Sequence, residues 1–382
     1  MDITFHYFAI KTLARKAGFE EDEAQAVAVY SQFIDDFNWI KYIRCLNIPD
    51  YIKNDADCDL YISNKLNPMN FNPAMTGFIG YIDMAFLALT RTQKFTVSPF
   101  HFIVPSLNQI DANVRTVPAV VGDGSLISDV ILDARDKLLA QDEDRYISLM
   151  RLGMVLHTFA DTYAHQLFSG YNSWVNDVEV TRVTDNVTKR DLTKQVRNEI
   201  EENVRAVKQA QNAGGDNALL PSIGHMWAGH TPDLTNLSFE MNFKSSEHVN
   251  GYDRTYARSN TETFVTACKH ILNLLLSCLG KEDVSDNDWA EFSRRLADAF
   301  LFNFPDKDVE NTLAVHWQAI FPEYQYHYSK TEVESRFLIA NSSADENAFG
   351  KNYSDIFYSY NYLADELLIR MYGSAPRKGW WN

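Results

Sequence analysis

Cysteine is scarce: Cys45, Cys58, Cys268 and Cys278 are the only 4 in 382 residues, and no two form a CxxC pair. That spacing argues against a disulfide framework, a redox dithiol and a zinc site built from cysteine. Basic residues are outnumbered, 35 Lys and Arg against 51 Asp and Glu, for a net charge of −16. Such a surface lacks the footprint of a protein that binds nucleic-acid polymer or an anionic membrane. It leaves room for a nucleotide or phospholipid held through a bound cation, which that sum does not count. Long apolar runs are missing as well. The longest, near "ILNLLLSCLG" at 271–280, is too short to span a bilayer. The first residues, "MDITFHYFAIKTLARKAGF", have no basic leader, and Lys11, Arg15 and Lys16 interrupt the apolar pattern. They do not read as a secretory signal, so the expected location is the cytoplasm. No GxSxG, P-loop or GxGxxG motif occurs. "DADCDL" at 55–60 starts like a calcium loop but places Leu60 where an EF-hand needs Gly.

What is present is helical periodicity. At 46% hydrophobic and 23% charged, the chain can bury a sizeable core. Phe5, Phe8, Ala9 and Leu13 give an amphipathic first helix. Glu20 to Glu23 supply the acidic first turn of a second, which continues through "AQAVAVYSQFIDDF". From about Trp39 to Asn108 only "GFIGYIDMAFLALT" at 77–90 looks regular. Further helices are expected from Ser125, from about Tyr146, and over 261–280, 288–302, 307–320 and 353–372. The stretch 171–222 is polar, and within it 188–211 reads as a solvent-facing helix or an insertion that stops at "NAGGDN". No strand alternation is sustained. The expectation is a single all-α domain, with a metal-binding core over 1–235 interrupted by the insertion 171–222 and additional helices over 236–382.

The chemistry concentrates in "LGMVLHTFADTYAHQLFSG", Leu152 to Gly170. His157, Asp161 and His165 are four residues apart, so each step drifts by only about 40° around a helix of 3.6 residues per turn. They share one stripe on a helix that is apolar nearly all round and is therefore buried. Burying an unpaired Asp costs several kcal/mol or more. Either His–Asp hydrogen bonds satisfy the stripe internally or a divalent metal faces it. Asp35 and Asp36 form a second pointer. Two carboxylates at a helix C-terminus oppose its dipole and each other, unless a cation offsets both or the end is solvated. His225 and His230 lie in "IGHMWAGHTPD", which ends in Asp233. His101 sits between two Phe in "SPFHFIVP", and His6 lies on the apolar first helix. For these two a backbone-bonded core histidine is the plain alternative.

These pieces resemble a known pattern. "LGMVLHTFADTYAHQLFSG" is similar to the LG-x-x-LHT-x-x-D-x-x-AH signature of fungal heterokaryon-incompatibility protein C and its bacterial relatives. More distantly it resembles the zinc-dependent phospholipase C and single-strand nuclease superfamily. The first helix, "SQFIDD", "FHF" and "GHMWAGHTPD" also resemble a bacterial family known as a domain of unknown function. The resemblance implies an all-α, phospholipase C-like helix bundle with extra C-terminal helices and one to three zinc ions. By its ligand order the metal ligands would be His6, Asp35 or Asp36, His101, His157, Asp161, His165 and His225, and Asp161 would bridge two metals. The phospholipases carry an acid four residues after that last His; Gly229 stands there instead, so His230 or Asp233 is the replacement on offer. They also use a processed amino-terminal Trp as a ligand; here Asp2 substitutes, or one metal site is missing.

The function expected from this is metal-activated attack of water on a phosphodiester, such as a phospholipid or nucleotide, with Asp35 or Asp36 as general base. Zinc-bound hydroxide attacks carboxylic esters and amides too. The alternative is a non-catalytic helical scaffold whose histidines and aspartates hold a structural metal or form a polar core.

Overall fold

The computed structural model describes residues 1–39, 43–58, 60–64, 67–77, 92–210, 222–243, 254–302, 308–339 and 350–372. The chain starts in a π-helical turn, Thr4–Ala9, that runs straight into α1 (Ile10–Ala17). A capping box between Glu20 and Glu23 opens α2 (Glu21–Asp36), as its acidic first turn predicts. A three-stranded antiparallel sheet follows, in the order β1 (Ile43–Arg44), β3 (Asn67–Phe71), β2 (Tyr61–Asn64), with α3 (Asp50–Asn54) between β1 and β2. After α4 (Ser98–His101) come α5 (Leu126–Ala140) and α6 (Arg145–Ala164), the latter capped by the Asp144 carboxylate. The predicted helix at 77–90 lies almost wholly outside the described residues, as do "NAGGDN" and His248.

The β1–β3–β2 sheet departs from the all-α expectation, and so does the second half. The polar stretch 171–222 begins with a strand, β4 (Val178–Asp185), before the expected helix, α7 (Thr193–Ala210). β4 pairs with β5 (Leu237–Phe243), and β5 with β6 (Arg254–Ser259), in an antiparallel sheet. Leu237, Phe239, Met241 and Phe243 alternate inward along β5, a period-two pattern too short to stand out beside the helical runs. Then α8 (Asn260–Ser277), α9 (Asp286–Phe300), α10 (Val309–Ile320), α11 (Lys330–Ser335) and α12 (Asp355–Tyr372) complete a mostly helical fold with two small sheets. No described helix is long and apolar enough to cross a membrane, and all four cysteines are buried thiols.

Two hydrophobic cores result among the described residues. The larger gathers α1, α2, α5, α6, α8 and α12; the smaller lies between the β4–β5–β6 sheet and Val97, Phe102, Phe168, Ile223 and Ala228. α6 is the central helix, buried at every residue from Ser148 to Ala164. Its closest partner is α2, and Gly153 sets that approach: a Cβ there would lie 2.3 Å from the Val27 carbonyl oxygen. α6 ends where the two cores meet, and the polar stripe sits at that seam.

Candidate metal centre

Five segments bring the polar groups together. The amino-terminal π-helical turn presents His6, the end of α2 presents Asp35, and the end of α4 presents His101. α6 presents His157 and Asp161, with His165 immediately after its last residue. The loop 223–233 presents His225 and Asp233. Close backbone approach seats that loop, because a Cβ on Gly224 would meet the Phe102 ring at 2.4 Å. Among the described residues, three groupings have the spacing to hold a metal ion: His6, Asp35 and His157; His101, His157 and Asp161; and His165, His225 and Asp233.

Hydrogen bonds fix which nitrogen faces inward for His157, His101, His165 and His225, while His6 Nδ1 is buried without a partner. His157 Nδ1 donates to the Ser31 carbonyl at 2.8 Å, and His101 Nε2 to the Thr76 carbonyl at 2.7 Å. His165 Nδ1 donates to the His101 carbonyl at 2.6 Å, and His225 Nδ1 to the Gly229 carbonyl at 2.8 Å. Each neutral imidazole then turns a lone pair toward the cluster. There the lone pairs meet other acceptors. His157 Nε2 and His101 Nδ1 are 3.2 Å apart, and each is 3.3 Å from Asp161 Oδ2. His165 Nε2 lies 3.1 Å from Asp233 Oδ1, and His225 Nε2 3.2 Å from Asp233 Oδ2. Acceptors facing acceptors at this range need a cation between them, either a proton or a metal ion. Ligating histidines typically donate their second nitrogen to a carbonyl in this way.

The electrostatics point in the same direction. Burial pushes the His6 and His157 imidazoles down, and takes His225 to about 4, so protonation is disfavoured. His6 and His157 also stack with ring centres 3.8 Å apart, a poor arrangement for two imidazolium ions. Burial raises Asp35 and Asp2 to about 7, against the opposing pull of His101 on Asp35 and of the terminal amine on Asp2. Burial works against charge on Asp161 and Asp233 too, but neighbouring histidines and the amine hold both well below the usual carboxylate range. Asp2 Oδ2 is buried without a hydrogen-bond partner. Four carboxyl groups and the terminal ammonium thus share a largely buried volume, with the Arg258 guanidinium acting on Asp233 from nearby.

The ammonium belongs to Met1. It donates to Asp161 Oδ1 and lies 3.4 Å from Asp233 Oδ1. Burial opposes its charge, yet Asp161, Asp233 and Asp35 together hold it at about 11. Asp161 is therefore two-sided. Oδ1 faces the amine and His6 Nε2, the latter at 3.1 Å, while Oδ2 faces His101 and His157.

Of the residues expected from sequence, His6, Asp35, His101, His157, Asp161, His165, His225 and Asp233 converge here. Asp36 does not join any of the three groupings; it accepts a hydrogen bond from the Tyr328 hydroxyl instead. His230 is exposed and also outside them, and its carbonyl turns the chain by accepting from Asp233 N at 3.0 Å. Successive helix residues point about 100° apart, so only one of Asp35 and Asp36 can face α6. The α-amino group was missed as a member of the cluster; the amino-terminal ligand of the phospholipases was the available signal. His270, His316 and His327 lie elsewhere, beside Tyr163, the Ala299 carbonyl and Glu332 respectively.

No curated protein and no solved structure matches this chain. A family model matches residues 1–365, and its description is Family of unknown function (DUF6765).

Proposed function

The chain belongs to the DUF6765 family, and we propose that it is a metal-dependent hydrolase acting on a phosphodiester such as a phospholipid or nucleotide. The observation that carries the metal is the set of lone-pair contacts, His157 and His101 on Asp161 and His165 and His225 on Asp233. Their spacings of 3.1 to 3.3 Å suit two ligands of one ion, since bonds of about 2.0–2.1 Å at the tetrahedral angle place ligand atoms about 3.3 Å apart. Zinc is the ion we favour for imidazole and carboxylate donors, in one to three copies. His101, His157 and Asp161 Oδ2 would hold one, with Asp35 Oδ1 beside them, 3.6 and 3.7 Å from the two imidazoles. His165, His225 and Asp233 would hold another. His6 and Asp161 Oδ1 would be donors toward a third.

When bound, such ions supply an acidified water and a positive clamp on phosphoryl oxygens. The chain's residues do the rest. Carbonyls of Ser31, Thr76, His101 and Gly229 lock the imidazoles in the ligating tautomer. Asp35 is 30% exposed, against 1% for Asp161, so it is the carboxylate that reaches solvent. Left off the ion, it is placed to accept a proton from a nucleophilic water. Asp36, engaged by Tyr328, is less suited to that role. The solvent-facing edge at Asp35, His225 and Asp233 favours catalysis over a closed structural site. The phosphodiester substrate rests on the resemblance of "LHTFADTYAH" to the phospholipase and nuclease signature.

The test is metal content by inductively coupled plasma mass spectrometry, on protein purified without a histidine tag or chelator, followed by phosphodiester and phospholipid panels. Two or more equivalents together with turnover support the reading. One tightly held equivalent without turnover favours the structural scaffold. No uptake after soaking with zinc returns the histidines to the core.

A further inference from the structure

The segments carrying His165 and Asp233 are 68 residues apart, and something outside both must hold them in register. That connection comes from β6 and the start of α8. Arg258, only 9% exposed, places its guanidinium between them. One terminal nitrogen donates to the Tyr163 carbonyl at 2.6 Å and the Ala164 carbonyl at 3.0 Å, the last two residues of α6. The other donates to the Pro232 carbonyl at 2.7 Å, directly before Asp233. Nε donates to Asn260 Oδ1 at 2.7 Å, and the Asn260 amide donates to the Thr231 and Leu234 carbonyls, both at 2.8 Å.

This is an unusual use of a buried charge. A buried guanidinium ordinarily pairs directly with a carboxylate; here its hydrogen bonds run to backbone carbonyls, the Asn260 amide and the Tyr256 hydroxyl, while the Asp233 carboxylate favours its charge from nearby. Two of those carbonyls form the negative end of the α6 dipole. The rings of Phe239 and Phe264 lie 5.0 and 5.8 Å from the group and add cation–π contacts. The planar fork therefore ties the helix end to the loop in one geometry, which a single ammonium could not reproduce.

Resting on the metal reading above, we infer that Arg258, with Asn260 as its brace, is the positioning residue for the His165–His225–Asp233 site. It touches neither ion nor substrate. It sets the distance between His165 and Asp233, and so assigns to residues beyond 235 a part in building the site. Arg258→Lys removes the fork but keeps the charge. The expected result is a loss of affinity at this one site of about 10- to 100-fold, the usual effect of losing an outer-sphere partner, with the remaining ions bound as before.

The experiment is a competitive titration of the metal-free full chain with zinc against a chromophoric chelator, repeated with cobalt(II) to read the ligand-field spectrum. It compares the unmodified chain, Arg258→Lys, Asn260→Ala and Asp233→Asn, the last marking which binding class belongs to this site. Selective weakening of the class that Asp233→Asn removes, in Arg258→Lys and more mildly in Asn260→Ala, supports the inference. Unchanged binding overturns it. So does equal weakening of every class alongside a lower melting temperature of the metal-free protein, which is what a purely structural residue would give. If Arg258→Lys does not fold, Asn260→Ala decides on the same readouts. An unmodified chain that takes up no metal overturns the parent reading, and this one with it.

Discussion

His157 donates its Nδ1 proton to the Ser31 carbonyl at 2.8 Å, across the crossing of α6 over α2. That bond decides which face of the imidazole is available to an ion, and it depends on the two backbones lying almost in contact at Gly153.

Gly153→Ala is therefore expected to act at a distance. The added methyl meets the Val27 carbonyl at 2.3 Å, a backbone atom that cannot swing aside. Destabilisation of about 2 kcal/mol or more should follow, together with weaker metal binding as His157 is drawn from Ser31. Thermal denaturation and metal titration check it; a variant with unchanged melting and affinity shows that the crossing adjusts freely.

Asp161→Ala should release metal and lower the melting temperature of the metal-loaded protein. Both carboxylate oxygens are engaged, so the loss should exceed one equivalent where the unmodified chain holds two or more. Full metal content in this variant would rule out a bridging Asp161.

Neighbouring aspartates should behave differently. Asp35→Asn is expected to weaken metal binding by at least ~10-fold. Asp36→Asn should leave metal content alone and cost only about 1 kcal/mol, through its bond to Tyr328. Equal effects of the two substitutions on metal affinity would contradict the geometry.

Chelation offers a variant-free check. An ion that binds only the folded chain adds about 4 kcal/mol of stability when its free concentration is 1,000 times Kd. Dialysis against a chelator should thus lower the melting temperature, and zinc should restore it. A melting curve indifferent to both would count against the centre.

One pH effect is expected away from the site. Arg151, largely buried, is held by Glu143 and, at 3.2 Å, by Glu366. Burial alone would raise the Glu143 carboxyl, but hydrogen bonds from Arg151 and Ser148 hold it below its ordinary value. A carboxylate depressed in the folded state contributes stability above its unfolded pKa and loses it as pH falls through the folded one. Glu143→Gln should therefore cost about 1–2 kcal/mol at neutral pH, less than a fully buried pair because the carboxylate is partly exposed. The difference should begin to close as pH falls below the ordinary Glu value of about 4.3 and vanish once pH has passed the depressed folded value. A gap that persists there would assign the effect to packing.

Much of the site was readable because helix geometry converts spacing into direction. His157 and Asp161 needed only the four-residue interval, and burial of the stripe followed from the apolar residues around it. His165 lies one residue past the end of α6 yet keeps the line, because its N–H still bonds to the Asp161 carbonyl at 2.8 Å. His101 and His6 were ambiguous for a physical reason: bonding to a carbonyl and facing a metal are compatible, and His101 does the first with one nitrogen while turning the other inward. Choosing between Asp35 and Asp36 required knowing where α6 lies. The strands were missed because β4 sits in a polar stretch and β5 is only seven residues long. Arg258 had no local signal at all; its role depends on which carbonyls tertiary packing brings to it.

The distances along the chain bear on how such a centre comes into being. Met1 and Asp161 are 160 residues apart, and His6 and Asp161 are 155. A zinc finger gathers its ligands within a short loop, so metal and chain organise each other from the start. Here every grouping waits on at least one long loop closure, 56 residues between His101 and His157 and 68 between His165 and Asp233. Ion capture should therefore be a late kinetic event, first order in a docked intermediate. Refolding rates would then be insensitive to zinc while the final amplitude of the native signal depends on it.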